Sequence, residues 1–209
     1  MAEQVPPGSR VADVGTDHAL LLAWLVTHGR ARAGIGIDVN AGPLAQARRT
    51  LAEAKVSGVE LRQGDGLRPL VPGEVDVVVL AGMGGARMVR LLEEGEVVVS
   101  GLRSLVLQPN TEWALVRRWV AARGFSLARE VMVEDRGKFY VVLDVRPQEH
   151  DTAAWSEGEL ELEAVGLGGR EAGALRVGVE LQAAGELVGV VLEGHALQRG
   201  AGAGVEGEQ

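Results

Sequence analysis

The sequence predicts an α/β domain, a doubly wound and mostly parallel sheet that ends in an antiparallel hairpin. Three observations carry this prediction. Short β-branched runs alternate with segments of helical length, a glycine-bearing loop follows the first run directly, and two adjacent strand-like runs meet at a tight turn.

The strand-like runs are 10–15, 33–39, 59–62, 75–81 and 104–108, and the intervening segments 18–28, 44–55, 87–94 and 111–123 each suit a helix of two to four turns. Right-handed crossovers turn such an alternation into a Rossmann-like sheet with helices on both faces. Runs 126–134 and 138–145 flank Asp135-Arg136-Gly137, whose chemistry is that of a hairpin turn. A Rossmann-like parallel sheet with an antiparallel edge hairpin is the layout of class I methyltransferases. Residues 1–146 are therefore expected to form the catalytic domain and 147–156 a linker.

Beyond the linker, Ala174, Val177, Leu181, Ala184, Val188 and Val191 fall at heptad spacing, which predicts a helix folded back on residues 157–165. A small C-terminal helical hairpin, coiled-coil-like, is expected over 157–199. Gly178, Gly185 and Gly189 weaken it, each by about 1 kcal/mol relative to alanine. Residues 200–209 are glycine-rich and acidic and are expected to be disordered.

Composition excludes several classes. With 46% hydrophobic and 24% charged residues the chain reads as soluble, and no apolar run approaches the roughly 20 residues of a membrane span. The first residues lack the basic and apolar regions of a secretory signal, so cytoplasm is the expected compartment. There is no cysteine, and four scattered histidines make a poor metal set, so no metal is expected. The formal net charge is −8, but residues 1–146 carry a net of +1 and residues 147–209 a net of −9. The acidity is in the tail, and an RNA partner is not excluded. Oligomeric state is left open, with a monomer the simplest expectation.

Asp13-Val14-Gly15-Thr16-Asp17-His18 ends the first strand and opens the first helix, where open α/β sheets hold nucleotides. Gly15 permits a tight turn and close approach of a ligand. A dinucleotide site would want G-x-G-x-x-G, with pyrophosphate on bare backbone. Here the second glycine position is Asp17, whose carboxylate repels pyrophosphate but attracts the ammonium and sulfonium of S-adenosyl-L-methionine. That cofactor is expected. Asp38 ends the second strand, where an acid can accept both ribose hydroxyls. Gln63-Gly64-Asp65-Gly66 closes the third, able to read an adenine amino group. Ala81-Gly82-Met83-Gly84-Gly85 closes the fourth, and its glycines imply close backbone approach. Gln108-Pro109-Asn110 closes the fifth with two amides at the cleft edge, able to read a base. Arg87 and Arg90 share one helix face and Arg117-Arg118 lie on another, candidates for substrate phosphates. Each has a plainer reading. Thr16 or Asp17 could cap a helix, as could Asn110 or Thr111, Met83 could fill core, and the arginines could form a solvated face.

The segments Asp13-Val14-Gly15-Thr16-Asp17-His18-Ala19, Ala81-Gly82-Met83-Gly84-Gly85, Leu107-Gln108-Pro109-Asn110 and Glu134-Asp135…Lys138-Phe139-Tyr140 occur in the order and spacing of one family. Over residues 8–146 the chain resembles the bacterial tRNA (adenine-22 N1) methyltransferases, the TrmK family. The resemblance implies methyl transfer from S-adenosyl-L-methionine to N1 of an adenine in the D-arm of tRNA, by a Rossmann-like domain followed by a helical coiled-coil domain. It implies that Gly15, His18, Asp38, Asp65 and the Gly82-Met83-Gly84 backbone bind the cofactor; Asp13 and Gly66, in the same loops, are expected cofactor-site residues by position. Asp17 would stand near the methyl and target base, and Asn110 would line the base pocket. From their positions alone, Gln108, Pro109 and the four arginines are the expected substrate-facing residues. The chain departs from the family at Val141, where an acidic residue is usual, and in its shorter, glycine-rich C-terminal segment. Another RNA, a small molecule, or binding without catalysis remain alternatives.

Overall fold

The computed structural model describes residues 1–135 and 137–147, together with the backbone of 180–184 and 187–192. After a single 3-10 turn at Ala2–Gln4 come β1 (Ser9–Val14), α1 (Leu20–Thr27), β2 (Ala31–Asp38), α2 (Ala41–Glu53), β3 (Val59–Gln63), β4 (Val77–Gly84), α3 (Gly85–Glu94), α4 (Glu96–Val99), β5 (Ser104–Thr111), α5 (Trp113–Ala122), β6 (Phe125–Asp135), β7 (Lys138–Pro147), β8 (Glu180–Ala184) and β9 (Leu187–Leu192). The strand order is β3-β2-β1-β4-β5-β7-β6-β9-β8. β1 to β5 are mutually parallel, and β7 inserts antiparallel between β5 and β6. The predicted doubly wound sheet with its edge hairpin is therefore present.

The central strands are apolar on both faces because both are covered, as a parallel sheet requires. Ala12, Val14, Ile37, Val78, Leu80 and Leu105 pack with Met88, Leu91 and Leu92 of α3 and Val116 and Trp119 of α5. Val11, Val77, Val79 and Val106 face Leu22 and Leu25 of α1. α2 joins that layer through Ala47 and Leu51 against Ala19 and Ala23. Trp119 is a core anchor, as the sequence suggests. Val141, the departure from the family pattern, is 1% exposed and packs in the same core cluster as Met88 and Trp119. An acid there would carry an unpaired charge into the interior.

The helical expectation for the C-terminal segment is corrected at two places. Residues 180–184 and 187–192 are strands, an antiparallel pair that extends the sheet outward from β6 through β9. The physical reason lies in Val188, Val190 and Val191, which favour extended backbone, beside Gly178, Gly185 and Gly189, which disfavour a helix. The remainder of the expected appendage, the linker from 148 and the 200–209 tail lie outside the described residues. Among the described residues no helix is long and apolar enough to cross a membrane.

Candidate active site

The parallel strands deliver their loops to one edge, and the sequence-predicted residues gather there. β1 runs into Gly15, whose φ of +79° lets the chain turn so that the Gly15 and Thr16 N–H groups both donate to the Ile37 carbonyl, at 2.8 and 3.0 Å. Val14, Gly15, Ile37, Asp38, Val39, Gly64, Asp65, Gly66, Met83, Arg87 and Leu91 line one cleft. Its enclosed part is about 40 Å³, so a ligand would lie along an open groove. A larger hollow of about 490 Å³ sits at the amino half of β1 to β3, lined by Arg10, Glu60, Arg62 and Glu74 among others. Its cations are already paired, Arg62 with Glu60 and Glu74 and Arg10 with Asp76. Open α/β sheets bind ligands at the carboxyl ends of their strands, which favours the smaller groove.

The groove suits a cofactor rich in hydroxyls and donors. Asp38 accepts the Asn40 N–H at 2.8 Å through one oxygen, which fixes its carboxylate and leaves the other oxygen for a ribose. Asp65 faces Arg90 at 3.8 Å, and Met83 lines the same groove, its methyl 3.6 Å from where a Gly15 Cβ would stand. Asp13 does not line the groove. It is buried beneath it, accepts the Thr16 hydroxyl at 2.8 Å, and has its pKa pushed up to about 6 by burial, offset in part by that hydrogen bond.

Asp17 and His18 stand beside the groove on the same loop. Neither Thr16 nor Asp17 caps α1, contrary to the plainer reading: the N-cap is Ala19, in a left-handed conformation with no side-chain cap bond. Thr16 is used by Asp13, and Asp17 itself has φ +48°. Its carboxylate is left solvent-facing, 65% exposed, with His18 Nδ1 at 3.3 Å. Two left-handed non-glycine residues within three positions cost of order 1–3 kcal/mol each, a strain concentrated where function is expected.

A methyltransferase-domain family model matches residues 1–143. The chain is 36% identical over 154 residues to the tRNA (adenine(22)-N(1))-methyltransferase of Bacillus subtilis, covering 73% of this chain and 65% of that one. The crystal structure of the B. subtilis m1A22 tRNA methyltransferase TrmK superposes with a TM-score of 0.68 over 71% of this chain and 64% of that one, at 36% identity. A Streptococcus pneumoniae protein, provisionally assigned as a tRNA (m1A22) methyltransferase and solved with S-adenosyl-L-methionine, gives 0.68 at 34% identity over 73% and 72%. The chain belongs to the TrmK methyltransferase family. It spans 65% of the length of its curated B. subtilis relative.

Against that family frame, the substrate-side residues sort unevenly. Gln108 is buried, and its amide accepts the Gly82 N–H at 3.0 Å and donates to Asn110 Oδ1 at 3.1 Å. Pro109 is buried too, its carbonyl accepting Trp113 Nε1–H at 2.7 Å. Of the TrmK-type Gln-Pro-Asn segment only Asn110 is exposed. Arg87 is exposed and lines the groove. Arg90 bridges Glu94 at 2.8 Å, and Arg118 is exposed on α5. Arg117 is corrected: it is 4% exposed and ion-paired to Glu130, so it is turned into the core and away from any phosphate. Among the described residues no group of three or more His, Asp or Glu is placed to hold a metal.

Two residues escaped sequence reasoning. Thr16 was readable only as a cap, yet it holds Asp13. Glu112 had no pattern to mark it; it takes a left-handed φ of +59°, starts α5, and accepts the Ala86 N–H at 3.0 Å.

Asp13 makes stability depend on pH. Its folded pKa of about 6 exceeds the ordinary aspartate value of 3.8, so the folded state holds the proton more tightly. Its favourable contribution is complete below pH 3.8 and is lost as pH rises through about 6. The cost of the buried charge above that window is about 3 kcal/mol. Asp13→Asn is expected to raise stability at pH 8 and to flatten the pH dependence between 4 and 7, measured by urea unfolding; an unchanged profile would remove Asp13 as its source.

Proposed function

We propose that this chain is a cytoplasmic enzyme that transfers a methyl group from S-adenosyl-L-methionine to N1 of adenine 22 in tRNA, with residues 1–146 as its catalytic domain. The observation that carries this reading is the loop arrangement at the carboxyl edge. An exposed carboxylate, Asp17, follows β1, and an exposed amide, Asn110, stands near the end of β5, with the glycine-flanked Met83 on β4 between them. The family relatives named for this reaction, one of them solved with S-adenosyl-L-methionine, support the same cofactor and substrate.

The residues divide the work by position. Asp38 and Asp65 offer acceptors for ribose and adenine, and the Gly15 turn brings bare backbone against them. When bound, the cofactor supplies an electrophilic methyl on a sulfonium. The adenine N1 lone pair needs no prior deprotonation, so the chain's task is chiefly to hold the base in line with that methyl. Gln108 occupies Asn110 Oδ1, which leaves the Asn110 amino group free to donate to the base. Asp17 stabilises positive charge as it builds on the purine, or accepts an N6 hydrogen. The base must leave its stack to reach this edge. Arg87, Arg90 and Arg118 are exposed cations on α3 and α5 able to meet phosphates.

Incubation with S-adenosyl-L-methionine and unmodified tRNA, followed by nucleoside mass analysis, is expected to yield 1-methyladenosine mapping to position 22. Methylation of another nucleoside or of no RNA would overturn the substrate. Asp38→Ala is expected to weaken S-adenosylhomocysteine binding roughly 10- to 100-fold, the loss of one or two charge-assisted hydrogen bonds, read by calorimetry. Unchanged affinity would place the ribose elsewhere.

A further inference from the structure

We propose that Glu112 is a positioning residue for the methyl transfer, acting by clamping the loop that carries Met83 to the loop that carries Asn110. The proposal rests on the function proposed above.

The β4–α3 junction has no cap of its own. Gly84 is the N-cap of α3 and provides no side chain, so the first N–H groups of that helix need an acceptor from elsewhere. Glu112 supplies it from the neighbouring loop: its Oε2 accepts the Ala86 N–H at 3.0 Å, placing a negative charge at the positive end of α3. The carboxylate is spent on α3 and makes no cap bond to α5, the helix that Glu112 itself begins.

The backbone confirms how close the two loops lie. A Cβ on Gly85 would meet the Glu112 carbonyl oxygen at 2.7 Å and that of Thr111 at 2.8 Å, both rigid main-chain atoms. A side chain at 85 would force the loops apart. A second tie runs through Gln108, between the Gly82 N–H and Asn110. Between these ties the β4–β5 register shifts at Met83, which re-aims that residue toward the groove. Asn110 and Met83 thus sit on segments bound together at both ends.

Glu112 also holds a conformation that glycine would adopt without strain. Of the four non-glycine residues with positive φ among the described residues, Asp17, Ala19 and Glu112 lie on the loops of this edge. A strained glutamate is explained when its side chain is used, and the Ala86 bond is the use the structure displays.

Three variants separate positioning from mere folding. Glu112→Gln keeps an acceptor, Glu112→Ala removes it, and Glu112→Gly removes it while relieving the backbone. On unmodified tRNA, Glu112→Ala and Glu112→Gly are expected to lose roughly 10- to 100-fold in kcat, with KM for tRNA and the Kd of S-adenosylhomocysteine close to wild type. Glu112→Gln is expected to restore most of the rate. Amide hydrogen exchange at Ala86 is expected to quicken in the Ala and Gly variants and stay slow in Gln. Wild-type kcat in Glu112→Gly, or a rise in KM alone, would overturn the positioning role. Should the wild type methylate no tRNA, the proposed function falls, and with it the role in transfer. Ala86 exchange then still decides whether the clamp exists, and unchanged exchange in Glu112→Ala removes it.

Discussion

Replacing Asp17 by asparagine is expected to lower kcat on unmodified tRNA roughly 100- to 1000-fold, the size of effect seen when one preorganised electrostatic group is removed from a transition state. Asparagine is the informative substitution. It keeps the shape of the side chain and tolerates the left-handed φ of +48° that alanine would strain, so only the charge is lost. The fold should be untouched, because the Asp17 carboxylate is 65% exposed and its ion-pair partner among the described residues is the exposed His18. Affinity for S-adenosylhomocysteine, which lacks the sulfonium charge, should change little, whereas the gap in affinity between S-adenosylmethionine and S-adenosylhomocysteine should narrow. Single-turnover kinetics with calorimetry on both ligands would read these together. Wild-type turnover in Asp17→Asn would remove the carboxylate from the mechanism.

Arg117→Met is expected to destabilise the domain by about 3–5 kcal/mol while leaving kcat/KM on tRNA close to wild type at a permissive temperature. Removing the guanidinium strands Glu130, which is 7% exposed, as a buried and uncompensated carboxylate. The double variant Arg117→Met/Glu130→Leu is expected to recover much of the loss, since an apolar pair of similar volume avoids the desolvation cost of both ions. Urea unfolding of the wild type, Arg117→Met, Glu130→Leu and the double variant gives the coupling. A selective rise in KM for tRNA, with stability unchanged, would return Arg117 to the substrate surface.

Arg117 also marks the boundary of what pattern reading reaches. Arg117 and Arg118 are adjacent in sequence and identical in type, yet about 100° of helical rotation separates them, and one faces the core while the other faces solvent. Periodicity alone would have favoured burial, since Val116 and Val120 are core positions beside it. The charge hid that, because a buried arginine makes sense only once Glu130 of β6 is known to lie opposite. Gln108 misled in a similar way. It looks like a base-reading amide, but two residues before Asn110 on the same strand it is buried, and its amide already bonds the Gly82 N–H and Asn110 Oδ1.

The sequence by itself determined the order of strands and helices, the antiparallel edge hairpin, and the acids and glycines at the strand ends that gather at one groove. These are local quantities: β-branched runs, turn chemistry, and the rule that parallel strands deliver their loops to a common edge. Only the tertiary structure decided which polar residues face the groove and which are consumed in holding it. The same decision made Asp13 a buried group, Glu112 a clamp, and residues 180–184 and 187–192 strands along β6. The physical reason is that hydrogen-bond partners and burial come from elements distant in sequence, and no spacing of residue types records them.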